Sequence, residues 1–188
     1  MRVLGKTKKR IDKDIVEELS ADLVALTVGL VGGFFLVQIT GDISLIPGIL
    51  VLLPGYLEMH GNLLGSLAGR LSVALHTRKI PRRFAWNRMM HDNVAATFFL
   101  GVIVALVLGI IAYILTLLVF GWARPAIIAV ALAALVISLI VEIPLTIIAT
   151  YVIFQRGYDP DDIMGPYVTT LGDFIGIFAL LITFWVMV

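Results

Sequence analysis

"TTLGDFIGIFALLITFWVMV" (Thr169–Val188) is the last stretch of the chain, and Asp173 is the only charge between Asp162 and Val188. A run this apolar has the length needed to cross the hydrocarbon core of a bilayer as a helix. The rest of the sequence has the same character. Of the 188 residues 60% are hydrophobic, and the mean hydropathy is +1.04. Soluble domains are about 45–50% apolar and have no interior large enough to hide the excess. The composition therefore predicts an all-α polytopic membrane protein. With no cysteine, disulfides and thiolate metal sites are excluded. The charged first 20 residues read against a cleavable signal peptide.

Five apolar segments are expected, at Ala21–Thr40, Leu45–Leu67, Val94–Phe120, Pro125–Phe154 and Ile163–Val188. The connectors are Gly41–Ser44, Ala68–Asn93, Gly121–Arg124 and Gln155–Asp162. The net charge of +1 hides an asymmetry between them. Of the 14 Lys and Arg, all except Arg124 fall in the N-terminal segment, Ala68–Asn93 or Gln155–Asp162. The positive-inside rule then predicts a cytoplasmic N-terminus and an external C-terminus in the cell membrane. Two regions are expected: a cytoplasmic amphipathic helix over residues 1–20 and a five-helix transmembrane domain over residues 21–188. In the first region Ile11, Ile15 and Leu19 share one helical face, while Asp14, Glu18 and Asp22 share another. That acidic face reads either as a solvated surface or as a cytoplasmic cation-sensing patch.

Small residues recur every fourth position in two segments: Ala21, Ala25, Gly29 and Gly33, then Gly101, Ala105 and Gly109. This spacing lets helix backbones approach closely in lipid, within a subunit or between subunits. The second segment differs. Pro47, Pro54, Gly55 and Gly61 punctuate it, and it carries Glu58, His60 and Asn62. Proline lacks an amide donor and frees a carbonyl one turn earlier. A broken helix with a carboxylate and an amide is expected to line an ion path.

Asp173 lies ten residues past Ile163, about 15 Å along a helix and so near the bilayer midplane. An isolated Asp there costs roughly 2.5–3.5 kcal/mol on insertion scales. A partner, a bound ion or a water-filled cavity must offset that cost. Pro166, Thr169, Thr170 and Asp173 form one polar stripe, which favours a pathway. Glu142, just before Pro144, has two readings: structural pairing with Arg70 or an arginine of the basic connector, or pathway lining. Glu58 is open in the same way. His60, His76 and His91 lack ligand spacing, so no zinc or copper site is expected. Asp159-Pro160-Asp161-Asp162 reads as a helix start, in which acids cap the amides and suit the positive dipole end, or as a negative vestibule that concentrates cations. Carboxylates, amide oxygens and hydroxyls without soft ligands suit a hard cation. Magnesium in particular keeps several waters and uses one or two carboxylates. A symmetric dimer would bring two copies of Asp173 to one axis, where a divalent ion balances their charge.

"PGYLEMHGNLLGSLAGRLSVALHT" (Pro54–Thr77) resembles the second-helix motif of the MgtE family of magnesium transporters, especially its eukaryotic solute carrier family 41 branch. "GYDPDDIMGPYVTTLGDFIGIF" (Gly157–Phe178) resembles the segment before and within that family's fifth helix. The resemblance implies a five-helix subunit working as a parallel homodimer, with magnesium as the transported ion. It implies that Asp173 faces the ion and that Asn62, of the Gly61–Asn62 pair, lines the path. Gly61, Thr169, Thr170, Glu58 and Glu142 are the remaining candidate pore-lining residues. The chain departs from the family at His60, where bacterial members have a glycine, and at Leu64, where eukaryotic relatives often have an acid. The cytoplasmic sensing region of bacterial members is not expected here.

The expected partners are a divalent cation, the lipid bilayer and a second copy of the chain, not nucleic acid. An enzyme is not expected. An intramembrane aspartyl protease would need two carboxylates nearly in contact, whereas Asp159 reads as a loop residue about 21 Å of helix from Asp173. Two further alternatives are a proton-coupled transporter of small molecules, using Asp173 and Glu142 as a relay, and a membrane assembly subunit without transport.

Overall fold

The computed structural model describes residues 47–187 and, ahead of them, residues 19, 23, 26, 27, 30, 31 and 34, which are helical and exposed. The acidic face of Asp14, Glu18 and Asp22, and the small residues Ala21, Ala25, Gly29 and Gly33, lie outside the described residues. Four long helices make up the described body: α1 (Pro47–His76), α2 (Arg88–Phe120), α3 (Ala126–Gln155) and α4 (Pro160–Met187). They correspond to the second to fifth apolar segments. By length and composition α2, α3 and α4 are each able to cross a membrane. The protein is a helical, multi-pass membrane protein.

α1 and α3 each touch every other described helix, whereas α2 and α4 do not touch each other. The α1–α3 pair is therefore the centre of the body, with α2 and α4 on its flanks. α1 presents Leu52, Tyr56, Met59, Leu63, Leu67 and Leu71 to the interior at helical spacing. Between apolar helices in lipid the hydrophobic effect gives little attraction, so close van der Waals packing has to supply it. Gly109 shows how this is done: a Cβ there would lie 3.0 Å from Cα of Ile128. Gly101, Ala105 and Gly109 are all buried against neighbouring helices. Their spacing thus serves packing within the subunit.

Two expected boundaries are corrected. Residues 68–93 are not all connector. α1 runs on to His76 and α2 begins at Arg88, which leaves a linker of residues 77–87. Charges along residues 70–92 hide the extension in the sequence, but its physical basis is plain. Leu71, Ala74 and Leu75 continue the buried face of α1. Arg70, within the extension, donates to Asn93 Oδ1 (2.7 Å), Ser66 Oγ (2.7 Å) and Thr97 Oγ1 (2.9 Å), so its head group is satisfied at the α1–α2 seam. Asn87 then caps α2 by accepting from the Met90 amide at 2.9 Å.

The expected break in the second segment is also absent, since α1 is continuous through Pro54. Pro54 sits early in the helix. Its missing amide leaves only the Leu50 carbonyl without its usual donor, which the flanking turns tolerate. At the far end of α2, Gly121 takes a left-handed conformation (φ 74°) and its amide closes on the Leu117 carbonyl. α4 starts at Pro160 rather than Ile163. Asp159 accepts from the Asp161 amide at 3.1 Å, so the acidic run acts as a helix start.

Candidate cation site

Two polar groups of α1 point in different directions because they occupy different helical faces. Pro54, Glu58 and Asn62 succeed one another at four-residue spacing and are all exposed. Tyr56 and His60 repeat the spacing two residues out of phase and are fully buried. α4 adds a matching exposed row, Gly165 and Thr169, followed by half-buried Asp173. The rows face one cavity of about 360 Å³, whose walls include Glu58, Gly61, Asn62, Gly65, Thr169 and Asp173.

The polar groups inside it are partly tied down. Asn62 Nδ2 donates to Glu58 Oε1 at 3.3 Å, which leaves the Asn62 carbonyl oxygen available. Thr169 donates its hydroxyl to the Gly165 carbonyl at 3.1 Å, turning oxygen lone pairs outward as acceptors. Gly61 is the crossing point on this side, since a Cβ there would meet Thr169 Oγ1 at 3.1 Å. The surface presented holds two carboxylates, of Glu58 and Asp173, with amide and hydroxyl oxygens, all hard donors suited to a hydrated cation. Among the described residues no three His, Cys, Asp or Glu side chains converge as a chelating group.

The sequence candidates Asp173, Asn62, Gly61, Thr169 and Glu58 are thus brought together. Thr170 and Glu142 are not among the cavity's walls. Thr170 bonds the Pro166 carbonyl at 2.8 Å, closing the stripe on that side of α4. Glu142 is fully buried, and its partner is neither Arg70 nor an arginine of the connector. A hydrogen bond of 2.7 Å joins Glu142 Oε2 to His60 Nδ1.

His60 is named in the sequence, but its pairing with Glu142 is not foreseen there. It sits behind the cavity, wedged between α1, α3 and α4. A Cβ on Gly172 would fall 2.7 Å from the His60 Cβ, and one on Gly176 would fall 3.3 Å from its ring. The signal available in the sequence was the Gly172–Gly176 spacing beside Asp173, which marks a close helix approach. Gly172→Ala is therefore expected to force α1 and α4 apart and to cost about 1–3 kcal/mol, as overpacked cores do. The check is the melting temperature of the purified variant, which should fall below that of wild type.

Comparison with known proteins gives the family of the chain. Residues 53–183 match MgtE, the divalent cation transporter family, and the chain belongs to that family. Every wall of the cavity lies within the matched residues. The chain is similar to solute carrier family 41 member 2 of Xenopus laevis, 28% identical over 181 residues, which cover 88% of this chain and 32% of that relative. It is also similar to solute carrier family 41 member 3 of Rattus norvegicus, 28% identical over 149 residues, 73% of this chain and 31% of the relative. The chain spans about a third of the length of these curated relatives. No solved structure matches it.

Proposed function

We propose that this chain carries a divalent cation, magnesium first, across the cell membrane, and that Asp173 holds the ion in a partly hydrated state. The observation that carries the reading is the convergence of Glu58, Asn62, Thr169 and Asp173 on one open cavity, each near the middle of its helix. Carboxylates at membrane depth are costly unless they face water, an ion or a partner. The two acids here face outward from the subunit rather than into its core. A second copy packed parallel over this face would enclose the cavity and set two Asp173 carboxylates about one ion. Magnesium fits because it gives up water reluctantly, and the donors present are too few to replace its full shell. Asn62 and Thr169 would then hold the ion's waters, with Gly61 letting α1 approach Thr169 closely.

The same reading includes five spans per subunit, residues 1–20 as a cytoplasmic surface helix, and residues 21–188 as the transport domain. Charge asymmetry supports an inward N-terminus and an outward C-terminus. A tag at Val188 is expected to be reached by an impermeant reagent in intact cells. Protection of that tag alongside an exposed N-terminal tag would overturn the topology. Transport rather than catalysis is further supported by the place of Asp159. It lies ahead of α4 beside His76, at 3.3 Å, and not beside Asp173.

The function is tested by cation flux into liposomes containing the purified protein. Magnesium influx above that of empty liposomes, with disulfide trapping between copies of Thr169→Cys, is the expected result. A protein that carries magnesium as a monomer, or that carries no divalent ion at all, would contradict the proposal.

A further inference from the structure

α2, which does not touch α4, and α3 form the walls of a groove of about 810 Å³. That volume is in the range of a small-molecule site. Its walls are almost wholly apolar and include Phe98, Phe99, Ile140, Ile143 and Ile147. Pro144 stands in the groove wall and has no amide to close the turn on Ile140, which leaves that carbonyl without its usual helical donor. Phe99 and Ile140 are strongly exposed, so the groove opens sideways, where lipid lies.

One end of the groove differs from the rest. Phe84, Trp86 and His91 line it, and Phe84 is braced edge-on against Tyr151, with ring centroids 5.7 Å apart. Exposed aromatic rings of this kind sit at the headgroup level of a bilayer. Arg83 precedes Phe84, and Arg88 lies one turn before His91. Both are exposed. The Arg88 side chain is 96% accessible, with Asp92 only loosely placed at 3.9 Å. Arg78, Lys79 and Arg82 add to the same linker, and residues 78–88 contain no acid. An apolar slot in the membrane plane ending at a cluster of cations is complementary to one kind of molecule, with an acyl tail and an anionic head.

We propose that the α2–α3 groove binds an anionic phospholipid of the leaflet facing the basic linker, with an acyl chain between Phe99 and Ile147 and the phosphate at Arg83 and Arg88. A zwitterionic lipid offers the same tail but no net charge to the arginines. Free glycerophosphate offers the charge but nothing to the groove. This assignment does not depend on the cation site, which lies between α1 and α4.

The test is native mass spectrometry and thermal shift of the full chain in detergent, with phosphatidylglycerol, phosphatidylcholine and glycerophosphate as probes. Phosphatidylglycerol is expected to bind at least about tenfold more tightly than phosphatidylcholine and to raise the melting temperature, with glycerophosphate doing neither. The double variant Arg83→Gln/Arg88→Gln should lose that preference while keeping the lipid-free melting temperature of wild type. Ala95→Trp, which fills the groove, should weaken both lipids. Equal binding of the two lipids, a preference that survives the arginine changes, or tight binding unaffected by Ala95→Trp would each overturn the proposal. So would efficient disulfide trapping of Leu30→Cys to Ile140→Cys at saturating phosphatidylglycerol, because the groove would then be filled by the chain's own first segment.

Discussion

Glu142→Ala is expected to be the most destabilising single substitution in the described body. Glu142 and His60 are both fully buried and lie 2.7 Å apart, 82 residues apart in sequence. Their remaining polar atoms, Glu142 Oε1 and His60 Nε2, have no hydrogen-bond partner among the described residues. Truncating the acid leaves an imidazole in an apolar interior with no acceptor, and removing one member of a buried pair costs about 3–5 kcal/mol. Glu142→Gln keeps a hydrogen-bonding oxygen and the same volume. Its cost should be closer to the roughly 0.6 kcal/mol average of interhelical hydrogen bonds in membrane proteins. Melting temperatures of the two variants and of His60→Ala/Glu142→Ala provide the check. The double variant should be about as stable as Glu142→Ala alone, since the orphaned imidazole has been removed along with its partner. Additive losses would mean that the two side chains contribute separately and that the pair is incidental.

Asp173→Asn should leave the fold intact and remove most divalent binding and transport. The side chain is half-buried beside an open cavity and makes no described hydrogen bond on which the helix packing depends. An isosteric amide therefore costs the fold little. For the ion the change is large. One carboxylate about 5 Å from a doubly charged ion is worth roughly 6–7 kcal/mol at an effective dielectric constant of about 20. If desolvation returns half of that, the remaining ~3 kcal/mol is about a hundredfold in affinity, and a dimer loses two such charges. Asp173→Glu keeps the charge on a longer arm and should retain part of the flux. Metal-dependent thermal shift and liposome flux, measured together, separate the outcomes. Normal magnesium flux in the Asn variant would make Asp173 a packing residue. A variant that does not fold would make it structural.

Much of the cavity was legible in the sequence because its signal is local. Glu58 and Asn62 are four apart, as are Thr169 and Asp173, and a helix places such residues on one face. A carboxylate in an apolar span also draws attention by its cost. Which hydroxyl of the Thr169–Thr170 pair turns inward was not legible. A one-residue step rotates a side chain by about 100°, and the packing of α4 on α1 decides which face is covered. The pairing of His60 with Glu142 was hidden for a different reason. Nothing local joins residues on separate helices, and Arg70 offered an acid partner that its neutral neighbours Ser66, Asn93 and Thr97 made unnecessary. The reach of α1 to His76 was obscured by the same arginine, which reads as the edge of a membrane segment until its hydrogen bonds are seen.

The central claim is that a partly hydrated divalent ion occupies the Asp173 cavity between two copies of the chain. Its most direct test is a crystal structure of the purified protein grown with Mn²⁺ in place of Mg²⁺, read by anomalous scattering. The account predicts one peak on the two-fold axis, flanked by both Asp173 carboxylates and lying further from them than the roughly 2.1 Å of direct coordination. A peak elsewhere, such as beside Glu142, or a subunit with no second copy across the α1–α4 face, would contradict it.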